Sequence, residues 1–148
     1  MKKSKRLISY LLVLSQFICI ALIFKLGKSY PENVLVFMLM IFAIFIGLWA
    51  IFVMRKSRLT IMPDFYSGTR LIVAGPYRYI RHPMYLAVLL FCLSMLVNEL
   101  NIYRAAIYLF LAITLILKIL HEEKQLLQGF PEYRSYKQKT KRLIPFVF

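Results

Sequence analysis

The sequence predicts an all-α integral membrane protein with about four transmembrane helices, the third of them short. Three observations support this prediction. Hydrophobic residues make up 61% of the 148 positions, above the proportion usual in a soluble domain. They lie in long blocks instead of alternating with polar positions, and the basic residues collect between the blocks. About 20 apolar residues cross a hydrocarbon core of roughly 30 Å, so block length decides each element.

The first two blocks have the full length of a membrane span. Residues 7–26 contain one charged residue, Lys25, and residues 34–54 contain none. The basic N-terminus followed by an apolar run resembles a signal peptide, but the run is longer than the hydrophobic region of such a peptide. We therefore expect two helices that cross the membrane, the first of them uncleaved.

The last two blocks are less regular. The third, residues 84–97, is apolar apart from one serine but has only 14 residues, and the fourth, residues 102–120, carries a basic residue near each end. Pro83 suits the first turn of the third helix, where a missing N–H costs nothing. The fourth helix is expected to continue to about residue 128, because Gly129 then favours a stop.

The basic residues orient these helices. Of the 20 lysines and arginines, 16 lie in residues 2–6, 55–81 and 124–142. Basic loops stay inside the cell, which predicts a multi-pass cell-membrane protein whose two termini and long middle loop are cytoplasmic. Topology and anionic lipid headgroups thus account for the net charge of +14, and no nucleic-acid partner is expected.

The chain has no repeat or low-complexity segment and is interpreted as one membrane domain, residues 1–148. Residues 1–54 supply two spans, and residues 55–148 supply the segments that could carry chemistry. The two cysteines, Cys19 and Cys92, lie inside apolar blocks and are interpreted as core residues, with no disulfide and no metal site. The oligomeric state is not predicted.

The stretch GPYRYIRHPMY, residues 75–85, concentrates unusual residues where the third helix begins. Gly75 and Pro76 indicate a turn, and His82 and Tyr85 are three apart on one helical face. A helix N-terminus offers free N–H donors and partial positive charge, which favour a carboxylate or phosphate. The alternative for each residue alone is structural: arginines that reach the headgroups and tyrosines in the interfacial belt.

The end of the fourth helix carries charge of both signs. Lys118 and Glu122 are four apart and share a helical face. An ionisable residue beside a span suggests function, while the alternative is a salt bridge between these two side chains. Further along, a structural anchor in the membrane interface is expected from Tyr133, Tyr136, Arg142 and Pro145.

Four patterns occur in order: G-P-Y-x-Y-x-R-H-P-M-Y at 75–85, E-E-x-x-L-L at 122–127, E-Y-x-x-Y at 132–136 and R-L-I-P at 142–145. Together they resemble the isoprenylcysteine carboxyl methyltransferase family, and the wider set of small membrane methyltransferases that includes phospholipid N-methyltransferases is similar. The resemblance covers roughly residues 60–146. It implies a methyltransferase that uses S-adenosylmethionine and acts on a hydrophobic small molecule or lipid, such as a prenylcysteine carboxylate.

The resemblance also implies positions for the site. The cofactor would lie in a cytoplasmic pocket formed by the loop 60–83 and the C-terminal tail, against Thr69, Arg70, Leu71, Ile72, Tyr77, His82, Pro83, Met84, Tyr85 and Glu122. Lys118 matches the arginine that faces the substrate in the prenylcysteine enzymes, although lysine cannot form the same bidentate fork. Lys118, His121 and Glu122 are the candidate catalytic residues. A weakly nucleophilic acceptor would also need a base, for which His121 and Glu123 are the nearby candidates.

Two other interpretations remain open. Membrane sterol reductases share a similar C-terminal end but use NADPH, and they usually have about ten spans, which this chain is too short to hold. A non-enzymatic small membrane protein is the other alternative. The sequence does not identify the methyl acceptor.

Overall fold

The computed structural model describes residues 2–28, 30–55 and 71–144, with side chains from Leu7 onward. In this part of the chain the regular elements are helical: α1 (Lys2–Lys25), α2 (Val34–Met54), a 3-10 turn (Gly75–Arg78), α3 (Pro83–Asn98), α4 (Ile102–Gly129) and α5 (Tyr133–Lys139). The predicted fold class is confirmed. β-Pairing within these residues is limited to one isolated parallel bridge, between Ile80 and Lys141.

Among the described residues, three helices are long and apolar enough to cross a membrane, at Leu7–Lys25, Val34–Met54 and Ile102–Gly129. The third helix is short, as predicted, at 16 residues. Pro83 is its first residue, and α4 continues past the apolar block to Gly129. The chain is therefore a membrane protein in which α4 extends beyond its apolar segment and carries both glutamates.

α1 packs along α4, and α2 packs along α3. The buried face of α1 is a narrow stripe of Gln16, Cys19 and Ile23, spaced as one helical face requires. The main core cluster joins this stripe to α3 and α4 and consists of Cys19, Ile23, Cys92, Met95, Leu111 and Leu115. The buried residues of α2 are Val36, Ala43 and Ala50, whose small side chains allow the close helix approach typical of membrane bundles.

Residues 26–28 and 30–33 meet residues 98–101 at one end of the bundle, which we call the hairpin end. Arg104 is fully buried there, and its guanidinium donates hydrogen bonds to the carbonyl oxygens of Ile23 (3.0 Å), Met95 (3.0 Å) and Lys28 (3.2 Å). A Cβ at Gly27 would lie 2.6 Å from Arg104 Cζ, so a larger residue there would displace the Arg104 side chain. Arg104 thus ties the ends of three helices together.

Residues 71–85 and 121–144 meet at the opposite end, which we call the site end. The segment after α5 runs parallel to the segment before α3. The Arg81 N–H donates to Lys141 O (2.8 Å), and the His82 N–H donates to Arg142 O (3.0 Å). Gly75 begins the preceding turn at φ +58°, and a Cβ there would lie 2.8 Å from Val53 Cγ2. The turn therefore rests directly on the end of α2.

Candidate functional site

The site end is held together by an ion network around Glu123. Glu123 is 3% exposed, and its Oε1 lies 2.7 Å from Arg81 Nε. Its Oε2 lies 3.3 Å from Arg142 Nε and 3.7 Å from Lys137 Nζ. Arg81 also donates to the carbonyl oxygens of Lys137 (3.2 Å) and Thr140. Because three cations surround it, Glu123 is an ionised structural carboxylate and is poorly placed to accept a proton.

His82 lies between the two adjacent glutamates. Its Nδ1 is 3.9 Å from Glu122 Oε2, and its Nε2 is 3.7 Å from Glu123 Oε1. The Nε2 atom is buried and has no hydrogen-bond partner among the described residues. The imidazole stacks on the Tyr85 ring, with centroids 5.5 Å apart and planes within 6° of parallel. The predicted proximity of His82 and Tyr85 on one face is thus present in the structure.

Glu122 has different partners from its neighbour. Its Oε1 accepts a 2.6 Å hydrogen bond from the Tyr85 hydroxyl, and its side chain is 21% exposed. Within residues 7–28, 30–55 and 71–144, no lysine or arginine forms an ion pair with it at 4.0 Å or less. A partly exposed carboxylate that lacks a lysine or arginine partner among these residues is suited to a cationic ligand group.

Lys118 is buried among the helices, at 6% exposure. Its Nζ donates a 3.0 Å hydrogen bond to Gln16 Oε1 on α1 and lies 4.8 Å from the centre of the Tyr85 ring. The side chain therefore reaches α1 instead of pairing with Glu122, one turn further along α4. Tyr85 separates two groups of polar atoms, since its ring contacts both His82 and Lys118.

Three tyrosines are buried where α5 packs against the site end: Tyr77, and Tyr133 and Tyr136 of α5 itself. The Tyr136 hydroxyl donates to Tyr77 O (2.6 Å), and the Tyr77 hydroxyl lies 3.9 Å from Met54 Sδ. Burial raises the pKa of Tyr77 and Tyr133 and raises the pKa of Tyr136 to about 12. The expectation of an interfacial anchor is wrong for Tyr133 and Tyr136, which are buried at 1% and 9% exposure, because α5 folds back onto the site end. Pro145 lies outside the described residues.

The other predicted residues are placed less decisively. The His121 ring contacts the Gln125 side chain at 2.7 Å, on its own helix. Pro83 is buried at the start of α3, whereas Leu71, Ile72 and Met84 are half-buried. Thr69 and Arg70 lie outside the described residues.

Two features of the site were missed by the sequence interpretation. One is Gln16, an amide 8% exposed in the middle of an apolar helix; a polar group there is costly unless it is paired, which is a signal for a partner. The other is the ion network of Arg81 and Glu123, whose members are 42 residues apart. A buried pairing over that distance leaves no periodic signal in the sequence.

The comparisons with known proteins gave one family and no curated relative. A family model for phospholipid methyltransferases matches residues 32–132, a range that includes α2, α3 and α4. No curated protein matches the chain.

Proposed function

Because the chain belongs to the phospholipid methyltransferase family, we propose that it transfers a methyl group from S-adenosylmethionine to a lipophilic acceptor with an acidic oxygen. The observation that carries the proposal is that His82, Tyr85 and Glu122 lie together at the site end, at the start of α3 and near the end of α4. Residues 1–148 would form one catalytic membrane domain. The site end, whose segments 71–85 and 121–144 contain eight lysines and arginines, would face the cytoplasm.

The residues present fit the amino-acid part of the methyl donor. Its ammonium would bind Glu122, whose carboxylate accepts a hydrogen bond from the Tyr85 hydroxyl and lies 3.9 Å from His82 Nδ1. Its carboxylate would bind at the first turn of α3, where the Met84 N–H lacks an intrahelical acceptor and the helix dipole favours an anion.

The acceptor would lie on the other side of Tyr85, beside Lys118. The Lys118 ammonium has a neutral hydrogen-bond partner in Gln16 and an aromatic ring in Tyr85. A buried cation with these partners attracts an anionic oxygen and repels the ammonium of an amine lipid. The charge on this side of the site therefore supports a carboxylate-bearing lipophile, such as a prenylcysteine, over a phospholipid amine.

S-adenosylmethionine, when bound, supplies an electrophilic methyl group whose bond to sulfur breaks, leaving the electron pair on sulfur, as an acceptor oxygen forms the new C–O bond. A carboxylate acceptor has no proton to lose, so neither His121 nor Glu123 needs to act as a base. Tyr85 would align the two reactants, since its ring and hydroxyl contact both sides of the site. Alignment of this kind contributes about 7–11 kcal/mol in well-oriented reactions.

The proposal is tested by assaying purified protein with a methyl-tritiated donor and two acceptors, an S-farnesylcysteine carboxylate and phosphatidylethanolamine. We expect label in the first acceptor, released as volatile methanol by mild alkali because the product is an ester. Alkali-stable label in phosphatidylethanolamine would show that the acceptor is an amine. Absence of transfer to either acceptor, together with no binding of the donor product, would contradict the proposed function.

A further inference from the structure

Gln16 is a buried amide in the part of α1 that would cross the membrane. It lies in the apolar segment Leu7–Lys25, and its side chain faces the other helices with 8% exposure. An amide transferred into an apolar environment without a hydrogen bond costs several kcal/mol by hydrocarbon scales. A leucine at this position would avoid that cost, so the amide has a purpose other than packing.

The partner of Gln16 is Lys118, the basic residue beside which the proposed acceptor would lie. Gln16 Oε1 accepts a hydrogen bond of 3.0 Å from Lys118 Nζ, which brings α1 into contact with α4 at the site. Lysine has four rotatable side-chain bonds and a strong tendency to extend toward water. The amide restrains that freedom and keeps the ammonium 4.8 Å from the centre of the Tyr85 ring.

We infer that Gln16 is a positioning residue that holds the Lys118 ammonium in place for the acidic headgroup of a lipophilic acceptor. This inference rests on the proposed function and adds a residue outside the range 32–132 matched by the family model. The ligand class is a long-chain lipophile with one anionic oxygen group. Gln16 would act through Lys118, so its effect should vanish once that lysine is removed.

The Gln16 side chain is neutral, so it holds Lys118 without cancelling its charge. A glutamate here would hold Lys118 as firmly but would cancel its charge, leaving little attraction for an anion. An apolar residue at this position would leave the Lys118 charge intact but would no longer hold the ammonium in place. Gln16→Glu and Gln16→Leu therefore impair the headgroup contact for two different reasons, and both should preserve contacts with the acyl chain.

The test measures binding of two fluorescent probes, dansyl-undecanoate and its methyl ester, to the full-length protein in detergent. The two probes share a chain and differ in the negative charge. The proteins are wild type, Gln16→Leu, Gln16→Glu, Lys118→Met and the double variant Gln16→Leu/Lys118→Met. Ser15→Ala is the matched control, because the Ser15 hydroxyl donates only within α1, to Leu12 O (3.2 Å). Thermal unfolding of each variant is measured in parallel.

Wild type and Ser15→Ala should bind the carboxylate about 10-fold more tightly than the ester, the usual effect of one charged hydrogen bond. Gln16→Leu and Gln16→Glu should lose most of that ratio, and the double variant should match Lys118→Met. The inference is overturned if Gln16→Leu keeps the wild-type ratio, if its loss adds to that of Lys118→Met, or if wild type does not distinguish the probes. Binding of S-adenosylhomocysteine to the same samples tests the proposed function separately.

Discussion

Glu122 and Glu123 are adjacent in the chain, yet the fold gives them different environments. Three cations hold Glu123 in a closed ion network, whereas Glu122 contacts Tyr85 and His82 and keeps 21% of its side chain exposed. The difference follows from helix geometry, since neighbouring positions project about 100° apart. One carboxylate faces the tail and the other faces the proposed ligand.

This difference predicts separate effects for the two amide substitutions. Glu122→Gln should raise the apparent KM for the methyl donor by about 10-fold or more, because a neutral amide cannot pair with an ammonium, and should change the unfolding temperature little. Glu123→Gln should lower the free energy of unfolding by about 3 kcal/mol, because Arg81 is left buried without its counter-charge. Donor kinetics and thermal unfolding of both variants measure this split, and equal destabilisation with unchanged donor KM would contradict it.

At the scale of elements, α5 and the residues that follow it pack over the site end and hold the segment before α3 in place. The Tyr136 hydroxyl on α5 donates to Tyr77 O (2.6 Å), beside the turn that precedes α3. The Ile80–Lys141 bridge continues the contact. The turn depends on Gly75, so the packing of α5 against it requires both a hydrogen bond and a backbone conformation that favours glycine.

The Tyr136 contact predicts a pH-dependent contribution to stability. Burial raises its pKa from 10.0 to about 12, so the stabilisation is complete below pH 10 and is lost as pH rises through the folded-state pKa. Tyr136→Phe should lower the free energy of unfolding by about 1 kcal/mol at pH 8. Above pH 10, the free energy of unfolding of this variant should decrease less steeply with pH than that of the wild type. Unfolding measured against the exposed control Tyr79→Phe checks this; equal slopes for wild type and Tyr136→Phe would contradict it.

The turn at Gly75 makes a second prediction at this scale. Gly75→Ala should destabilise the protein by about 1–2 kcal/mol, because alanine is strained at φ +58° and its Cβ would lie 2.8 Å from Val53 Cγ2. Adding Val53→Ala should recover the steric part alone. Thermal unfolding distinguishes these contributions, and an unchanged unfolding temperature in Gly75→Ala would argue against the strained turn.

At the scale of the whole molecule, the two ends of the bundle differ in composition and in the contacts that close them. The hairpin end is closed around Arg104, and the site end carries the ion network and eight lysines and arginines in residues 71–85 and 121–144. Basic loops remain on the cytoplasmic side. This asymmetry predicts that the site end is cytoplasmic.

Single cysteines test that orientation in a background of Cys19→Ala and Cys92→Ala. A cysteine in place of Lys28, which is exposed at the hairpin end, should react with a membrane-impermeant maleimide on intact cells. A cysteine in place of Ser135, exposed at the site end, should react only after permeabilisation. The reverse pattern would place the proposed site outside the cell.

The helices could be predicted from the sequence because each depends on local information. Block length predicted the spans, and Pro83 predicted the start of α3. The three-residue spacing of His82 and Tyr85 predicted that they share one face. The pairing of Gln16 with Lys118 and of Arg81 with Glu123 could not be predicted, since each contact joins residues far apart in the chain. Tyr133 and Tyr136 were misplaced for the same reason, because their burial depends on where α5 folds.

The most direct test of the donor site is calorimetry of purified, folded protein with S-adenosylhomocysteine, the demethylated product of the donor. We expect saturable binding of one equivalent, weakened about 10-fold or more by Glu122→Gln and unchanged by Glu132→Gln, a glutamate exposed to solvent. NADPH should give no binding heat. Binding of NADPH without any response to S-adenosylhomocysteine would contradict the methyltransferase site and favour a reductase.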